Sequence, residues 1–434
     1  MGLFLIVISY VLLGTHALRA GDWGLAVFMS GCAVLSFSRE RWVGNMTSVL
    51  LGFGAIIWLD RGADLIGLRV GTGGDWVRLA LIMSALFALT LFASAYSFSA
   101  AGRERFGLNS ETGWFRASIF LLTALLLEIC RSKVSFPILM LDRFFPGWGR
   151  AEIFALALYA SWVGGRMYDP DGSRKTRPLI WALFSLVFFG QLGLGLAGAE
   201  MFLMTGRLHL PVPALIAAGP VFRGSGFFMP ILFTVSVLLV GPAWCSHLCY
   251  IGAWDDVSSR VSGKKPSRKF PGTLIWLRLV LLFVVVGAAW AMREAGVLGM
   301  TAVWWAAGFG LVGILVMLVF SRRMGMMVHC TAFCPMGIVS NLLGRISPWR
   351  MKIDSNCCKC LKCSKACRYN ALKKSDIEAG RPGLSCTLCG DCVSTCSSAS
   401  IGYRLPFLSA GISRKVFLVM VVSLHALFLG VARI

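Results

Sequence analysis

Apolar residues along this chain come in long blocks, and each block is bounded by Gly, Pro or charged positions, as helix ends are. A helix needs about 20 predominantly apolar residues to cross a bilayer. Eleven segments meet or approach that length, beginning near Leu3, Gly24, Met46, Val77, Trp114, Glu152, Leu179, Gly226, Thr273, Gly299 and Val416. The second and third read as short. Met1 to Leu18 has neither the basic start nor the small-residue cleavage site of a signal peptide, so it reads as the first span. The stretch Arg207 to Arg223 is apolar but carries Pro211, Pro213 and Pro220. Proline fixes φ and removes a donor, so this stretch reads as a re-entrant or interfacial loop on the outer side. Residues 350–405 form the only long stretch without a span.

The connecting loops alternate in charge. Arg39 and Arg41, Arg103 and Arg105, Arg166 with Arg174, Lys175 and Arg177, Arg260 with Lys264, Lys265, Arg268 and Lys269, and Arg322 with Arg323 make one basic set. The intervening loops are balanced or sparse in charge. Basic loops stay on the cytoplasmic side, which puts the N-terminus inside, residues 324–415 inside and the C-terminus outside. The expected location is the inner (cytoplasmic) membrane, crossed many times. One loop runs against the pattern: Arg131, Lys133, Arg143 and Arg150 outweigh Asp142 on the side assigned as outer. Composition agrees with a membrane chain, at 57% hydrophobic and 14% charged. A net charge of +22 in a soluble domain would point to nucleic acid. Here the cations lie between apolar blocks, so they read as topology and headgroup contacts, with no nucleic-acid partner.

Fifteen cysteines set the chemistry. Cys357, Cys360, Cys363 and Cys367 form a C-x2-C-x2-C-x3-C run, and Cys386, Cys389, Cys392 and Cys396 repeat it. Two such runs are the bacterial pattern for two [4Fe–4S] clusters, with each fourth cysteine serving the other cluster. Cluster one then takes Cys357, Cys360, Cys363 and Cys396, and cluster two takes Cys386, Cys389, Cys392 and Cys367. Paired zinc knuckles use C-x2-C spacing but have no need of the third and fourth cysteines at these offsets. The proline that usually follows the fourth cysteine is Arg368 in one run and Ser397 in the other. Cys358 is off-pattern and reads as a spare thiol. The expected fold is therefore an all-α polytopic membrane bundle of about eleven spans. A small α+β two-cluster bacterial-type ferredoxin module is inserted before the last span. Residues 1–178 are N-terminal membrane helices, 179–345 a membrane core, 346–405 the module, and 406–434 the last span.

Four more cysteines form two CxxxC pairs, Cys245 with Cys249 and Cys330 with Cys334, at the ends of the eighth and tenth segments. Helical residues i and i+4 lie about 5–6 Å apart at Cβ, too wide for an easy disulfide but suited to two ligands. Pro335 suits the first turn of a helix and biases Cys334 to an extended cap. Each pair is followed three residues on by a glycine, Gly252 or Gly337. The pairs read as a further iron–sulfur or metal centre or as relay thiols, against buried cysteines that merely pack. His247 and His329 accompany them as ligand or proton candidates, while His16 and His425 stand alone and suggest no haem site.

Residues 226–404 resemble the membrane polyferredoxins of the NapH and NosR type in the eight run cysteines and in Cys330-Thr-Ala-Phe-Cys334-Pro335. Tyr250 stands where that family has proline. The resemblance implies an electron-transfer subunit of a quinol dehydrogenase-like oxidoreductase. It would pass electrons between a quinone pool or cytoplasmic donor and respiratory redox partners, as in anaerobic respiration, through other electron-transfer subunits. An ion pump driven by electron flow and a redox sensor built on the thiols are the alternatives. Polar residues are scarce in the spans, which weighs against the pump. No catalytic residue and no flavin site stand out.

Overall fold

The computed structural model describes residues 2–203, 210–267 and 272–431. The chain divides into two compact units, Met1–Gly165 and Arg166–Ile434. Of the expected features, residues 207–209 of the proline-broken loop and the cations Arg268 and Lys269 lie outside the described residues.

The first unit contains α1 (Gly2–Arg19), α2 (Trp23–Leu35), α3 (Arg41–Gly71), α4 (Val77–Tyr96), α5 (Gly113–Lys133) and most of α6 (Gly149–Met167). Its charged contacts sort into two ends. At one end Arg150 pairs with Asp22 and, at 2.5 Å, with Glu128, while Arg131 meets Asp142 at 2.7 Å. At the other end Arg116 reaches Glu40 at 3.1 Å, and Arg41 and Arg105 donate to the carbonyls of Ser97 and Phe37. The helices therefore alternate in direction through all six segments. Even α2 runs from one end to the other, although 13 residues extend only about 20 Å. The cations that broke the charge alternation are answered in part by these pairs, since Arg131 and Arg150 are matched by Asp22, Glu128 and Asp142.

The second unit opens on α7 (Pro170–Leu196), with Asp169 capping the first turn and Pro170 at its first position. It continues through α8 (Leu215–Arg223), α9 (Phe228–Val240) and α10 (Tyr250–Val261), then α11 (Leu277–Glu294), α12 (Gly299–Val316) and α13 (Pro335–Leu343). One order of elements occurs twice: a long helix (α7, α11), a second apolar helix (α9, α12), a cysteine pair, then a short helix (α10, α13), with α8 inserted in the first copy. Among the described residues nine helices are long and apolar enough to cross a membrane. The two remaining apolar segments are α2, which is too short, and α6. Thr273–Glu294 and Gly299–Met324 bury only 11% of their apolar windows, and α10 turns Trp254, Val257 and Val261 outward while burying Asp255 and Asp256. Apolar side chains facing outward and carboxylates facing inward are the arrangement expected where lipid replaces water.

Between α13 and the last helix lies the small module. Strands β1 (Arg350–Ile353) and β2 (Ile401–Arg404) pair antiparallel, with Arg350 opposite Arg404 and Ile353 opposite Ile401. Short helices α14 (Lys362–Ala366) and α15 (Asp391–Ser394) carry the cysteine runs. Helix α16 (Ala410–Val431) packs against β2, where Phe417 stacks on Tyr403 at 4.4 Å between centroids.

Candidate metal centres

The two C-x2-C-x2-C loops have one backbone conformation. Lys359 and Leu361 in the first, and Leu388 and Gly390 in the second, adopt positive φ at equivalent places, as do Asn370 and Ala399 three residues past each fourth cysteine. Non-glycine residues bear a cost of roughly 1–2 kcal/mol in this region. It recurs at matched positions because each loop must curl its backbone around one point, turning the cysteines inward. The fourth cysteines stand near the opposite runs. Cys367 lines one cavity with Cys386, Cys389 and Cys392, and Cys396 interacts electrostatically with Cys363, which also senses Cys357. The Cys367 cavity is small and has an otherwise mostly apolar lining that includes Met351, Leu372 and Pro382. The Ala371 N–H donates to Cys367 Sγ at 3.3 Å. Burial pushes the Cys367, Cys386 and Cys389 thiols up to about 12, so thiolates here need positive charge among them, as iron supplies. Off-pattern Cys358 is exposed beside Cys360 and Ser398.

The CxxxC pairs are not on plain α-helix. Each sits on a single π-helical turn, Trp244–Leu248 or His329–Phe333. The N–H of the second cysteine closes that turn, Cys249 to Trp244 O at 3.0 Å and Cys334 to His329 O at 2.8 Å. The second cysteine then turns extended, with φ −83° and ψ 113° at Cys249 and φ −68° and ψ 116° at Cys334, and becomes the cap of the next helix. Pro335 takes the first helical position, as its sequence suggests; Tyr250 reaches the same geometry without proline and stacks on Phe188 at 4.0 Å. The glycines have one role. A Cβ on Gly252 would stand 3.0 Å from Cys245 O, and on Gly337 2.9 Å from Cys330 O. The short helix can fold back against its own cysteine turn only because both positions lack a side chain.

All four of these cysteines line one small cavity, with Pro213, Trp244, Arg278, His329, Asn341, Tyr369 and Thr387 among its walls. Pro213 brings the proline-broken loop to the wall of the cysteine cavity. Arg278 is buried. It donates to Cys330 O at 3.0 Å and to Asn341 Oδ1 at 3.1 Å, while its Nη2 has no partner. Among the described residues no carboxylate pairs with it. A buried guanidinium without a counter-charge is costly, by several kcal/mol. Four thiolates with iron carry net negative charge, so the residues present fit such a centre. His329 is buried on the same wall, and neither ring nitrogen has a hydrogen-bond partner. His247 instead meets Ser246 Oγ at 3.0 Å.

The two cavities share walls, since Tyr369 and Thr387 line both. Tyr369 belongs to a buried cluster with Trp181, Ala253 and Met327, against which Cys330, Cys367 and Cys389 all pack. The module is tied down here. Arg177, 1% exposed, meets Asp391 at 3.0 Å and Asp256 at 3.6 Å, and Arg260 adds a contact to Asp391 at 3.1 Å. Burial alone would raise the Asp391 carboxyl, but Arg177 and Arg260 hold it below the usual range. Ser246 Oγ donates to Thr387 O at 2.9 Å, and Arg368 donates to Ser259 O and Gly325 O at 2.9 and 2.8 Å. Sequence reading missed Arg278, Tyr369 and the Arg177–Asp391 pair, because each acts across a large separation along the chain. An arginine at the start of an apolar block is the one signal that could have drawn notice to Arg177 and Arg278.

A family model for a 4Fe–4S binding domain matches the chain twice, over residues 222–269 and 303–354. Each match covers one CxxxC pair of the repeat, and both stop short of Cys357. No curated protein and no solved structure matches. The chain is thus a helical, apolar protein with 4Fe–4S binding domain matches, consistent with electron transfer at a membrane.

Proposed function

We propose that this chain is a membrane-bound electron-transfer protein of the NapH and NosR kind. It carries electrons between a quinone pool or cytoplasmic donor and a respiratory redox partner. Cys357, Cys360, Cys363 and Cys396 hold one [4Fe–4S] cluster, and Cys386, Cys389, Cys392 and Cys367 a second. Cys245, Cys249, Cys330 and Cys334 hold a third iron–sulfur centre. The observation that carries the third centre is Arg278, buried without a carboxylate in a cavity lined by four cysteines. Bound clusters supply one-electron redox chemistry. The chain's own residues supply the thiolates, exclude water with apolar walls, and set the distance between sites through Tyr369 and Thr387. This path runs between repeat and module, which accounts for the fusion of a two-cluster module to a span bundle. The cysteine-lined cavities favour electron transfer over an ion pump.

The test is metal analysis of the purified full chain and of a Cys330→Ser/Cys334→Ser variant. The full chain should hold about twelve iron and about twelve labile sulfide, and the variant about eight of each. Equal iron in both, with two fewer free thiols in the variant, would reassign the pairs as thiols. Stoichiometric zinc without sulfide would overturn the cluster reading altogether.

A further inference from the structure

The two cysteine runs share a spacing but not a charge. Residues 357–367 carry Lys359, Lys362 and Lys365 and no carboxylate. Residues 386–396 carry no Lys or Arg and a single carboxylate, Asp391. The structure sorts the runs in the same sense. The second run is the anchored one. Asp391 is buried against Arg177 and Arg260, Thr387 O takes the Ser246 hydroxyl, and Cys386 O faces the Asn341 amide at 3.4 Å. In the first run Cys358, Lys359, Cys360, Lys362 and Lys365 are exposed, and so are residues 397–399, which follow the fourth cysteine of the same cluster. Ion pairs on the module surface join Lys374 to Glu378 and Arg404 to Asp354, and among the described residues none takes one of the three run lysines.

We propose that this face is the docking surface for an acidic, soluble one-electron carrier protein. The carrier exchanges electrons with the cluster of Cys357, Cys360, Cys363 and Cys396. Three features favour a protein over lipid headgroups. The lysines interleave with the ligand cysteines themselves, so whatever they attract is brought to the cluster edge. They lie on the run that is not used for anchoring to the CxxxC layer. The outward apolar side chains that suit a lipid boundary lie away from this run, as Trp254, Val257 and Val261 on α10 and Phe407, Leu408 and Ile412 around the start of α16. Complementary charge steers encounter and sets orientation more than it adds affinity, which suits a partner that must leave after each transfer. In one encounter a single electron crosses. The carrier and the cluster change oxidation state by one in opposite senses, and no bond forms or breaks. Seen from this face, the order of sites is run-one cluster, run-two cluster, then the CxxxC cavity behind Tyr369.

The proposal rests on the reading that the first run holds a cluster, and iron and sulfide analysis tests that separately. The docking test uses the full chain in nanodiscs of zwitterionic lipid. An acidic plant-type [2Fe–2S] ferredoxin is the probe, with binding followed by thermophoresis. Wild type should bind, and binding should weaken steeply as salt rises from about 50 to about 500 mM. A Lys359→Glu/Lys362→Glu/Lys365→Glu variant should lose affinity by about tenfold or more while keeping wild-type iron and sulfide. A Lys264→Glu/Lys265→Glu control should stay within about twofold of wild type. If the triple variant loses iron, Lys359→Gln/Lys362→Gln/Lys365→Gln replaces it and should still weaken binding. Unchanged affinity in the triple variant, or an equal loss in the control, would overturn the proposal. So would failure of the probe to bind combined with a loss of affinity for anionic vesicles alone, which would make the patch a lipid contact.

Discussion

Arg278 shows how one side chain can carry a functional argument. Its guanidinium is buried, donates to Ile275 O, Cys330 O and Asn341 Oδ1, and among the described residues has no carboxylate to answer its charge. Arg177, equally buried, is answered twice, by Asp256 and Asp391. The two arginines take equivalent parts in the repeat, each near the start of a long helix and donating to a carbonyl of a cysteine turn, Ser246 O or Cys330 O. Only the second faces the cavity of four cysteines, where negative charge from thiolates and iron would take the place of the missing carboxylate. Arg278→Met should therefore lower the midpoint potential of the CxxxC centre by on the order of 50 mV, since a nearby cation favours the reduced, more negative state. Arg278→Lys should recover most of that shift. EPR-monitored redox titration reads both, and an unchanged potential in Arg278→Met would mean that its charge faces no redox centre. Arg368 makes a second point at this scale. It occupies the place of a customary proline and instead clamps the carbonyls of Ser259 and Gly325, so the departure from pattern is an anchor.

At the scale of the element, the cysteine pairs depend on a π turn followed directly by a capped helix. The sequence spacing CxxxC suits an α-helix equally well, and reading it as i,i+4 on one helical face misses the extended second cysteine. The π turn follows from tertiary demand. The chain must leave α9 or the long helix of the second repeat, present two thiols to one cavity, and start a helix in a new direction within a few residues. Gly252 and Gly337 make that reversal feasible. Gly337→Ala should strain the second turn against Cys330 O and the Arg278 guanidinium. Its expected result is a lower iron content at the CxxxC centre and destabilisation of about 1–3 kcal/mol, with the ferredoxin-run iron retained. Iron analysis alongside thermal unfolding in detergent checks this, and full iron with unchanged melting would remove the packing role assigned to the glycine. The left-handed positions in the module loops have a similar origin, since Lys359, Leu361 and Leu388 take a conformation that their side chains disfavour.

For the whole molecule, the charge of the loops predicts that the cysteine runs and the CxxxC pairs lie on one side of the membrane. With α16 as a span, reporters placed after Arg404 and after α16 should report opposite compartments, the first cytoplasmic. Reporters on the same side would remove α16 from the count of spans, and a periplasmic first reporter would invert the orientation argued from the basic loops. Much of this architecture is legible in one dimension. Apolar block length, the charge of short loops and the offsets within the cysteine runs are local properties. A helix in lipid must satisfy its own backbone, and a cubane ligated from a short loop needs fixed gaps between cysteines. The helical, apolar character of the chain was accordingly accessible from sequence, with nine of the eleven apolar segments long enough to span among the described residues. Tertiary structure alone decided which distant groups meet. It brought Cys245 and Cys249 to the same cavity as Cys330 and Cys334, set Tyr369 and Thr387 between that cavity and the next, and buried Asp391 against Arg177. Such contacts join residues far apart in the chain, up to the 214 positions of the Arg177–Asp391 hydrogen bonds. No periodicity records such a meeting, because it depends on how helices pack and on where a buried charge can find its counter-charge.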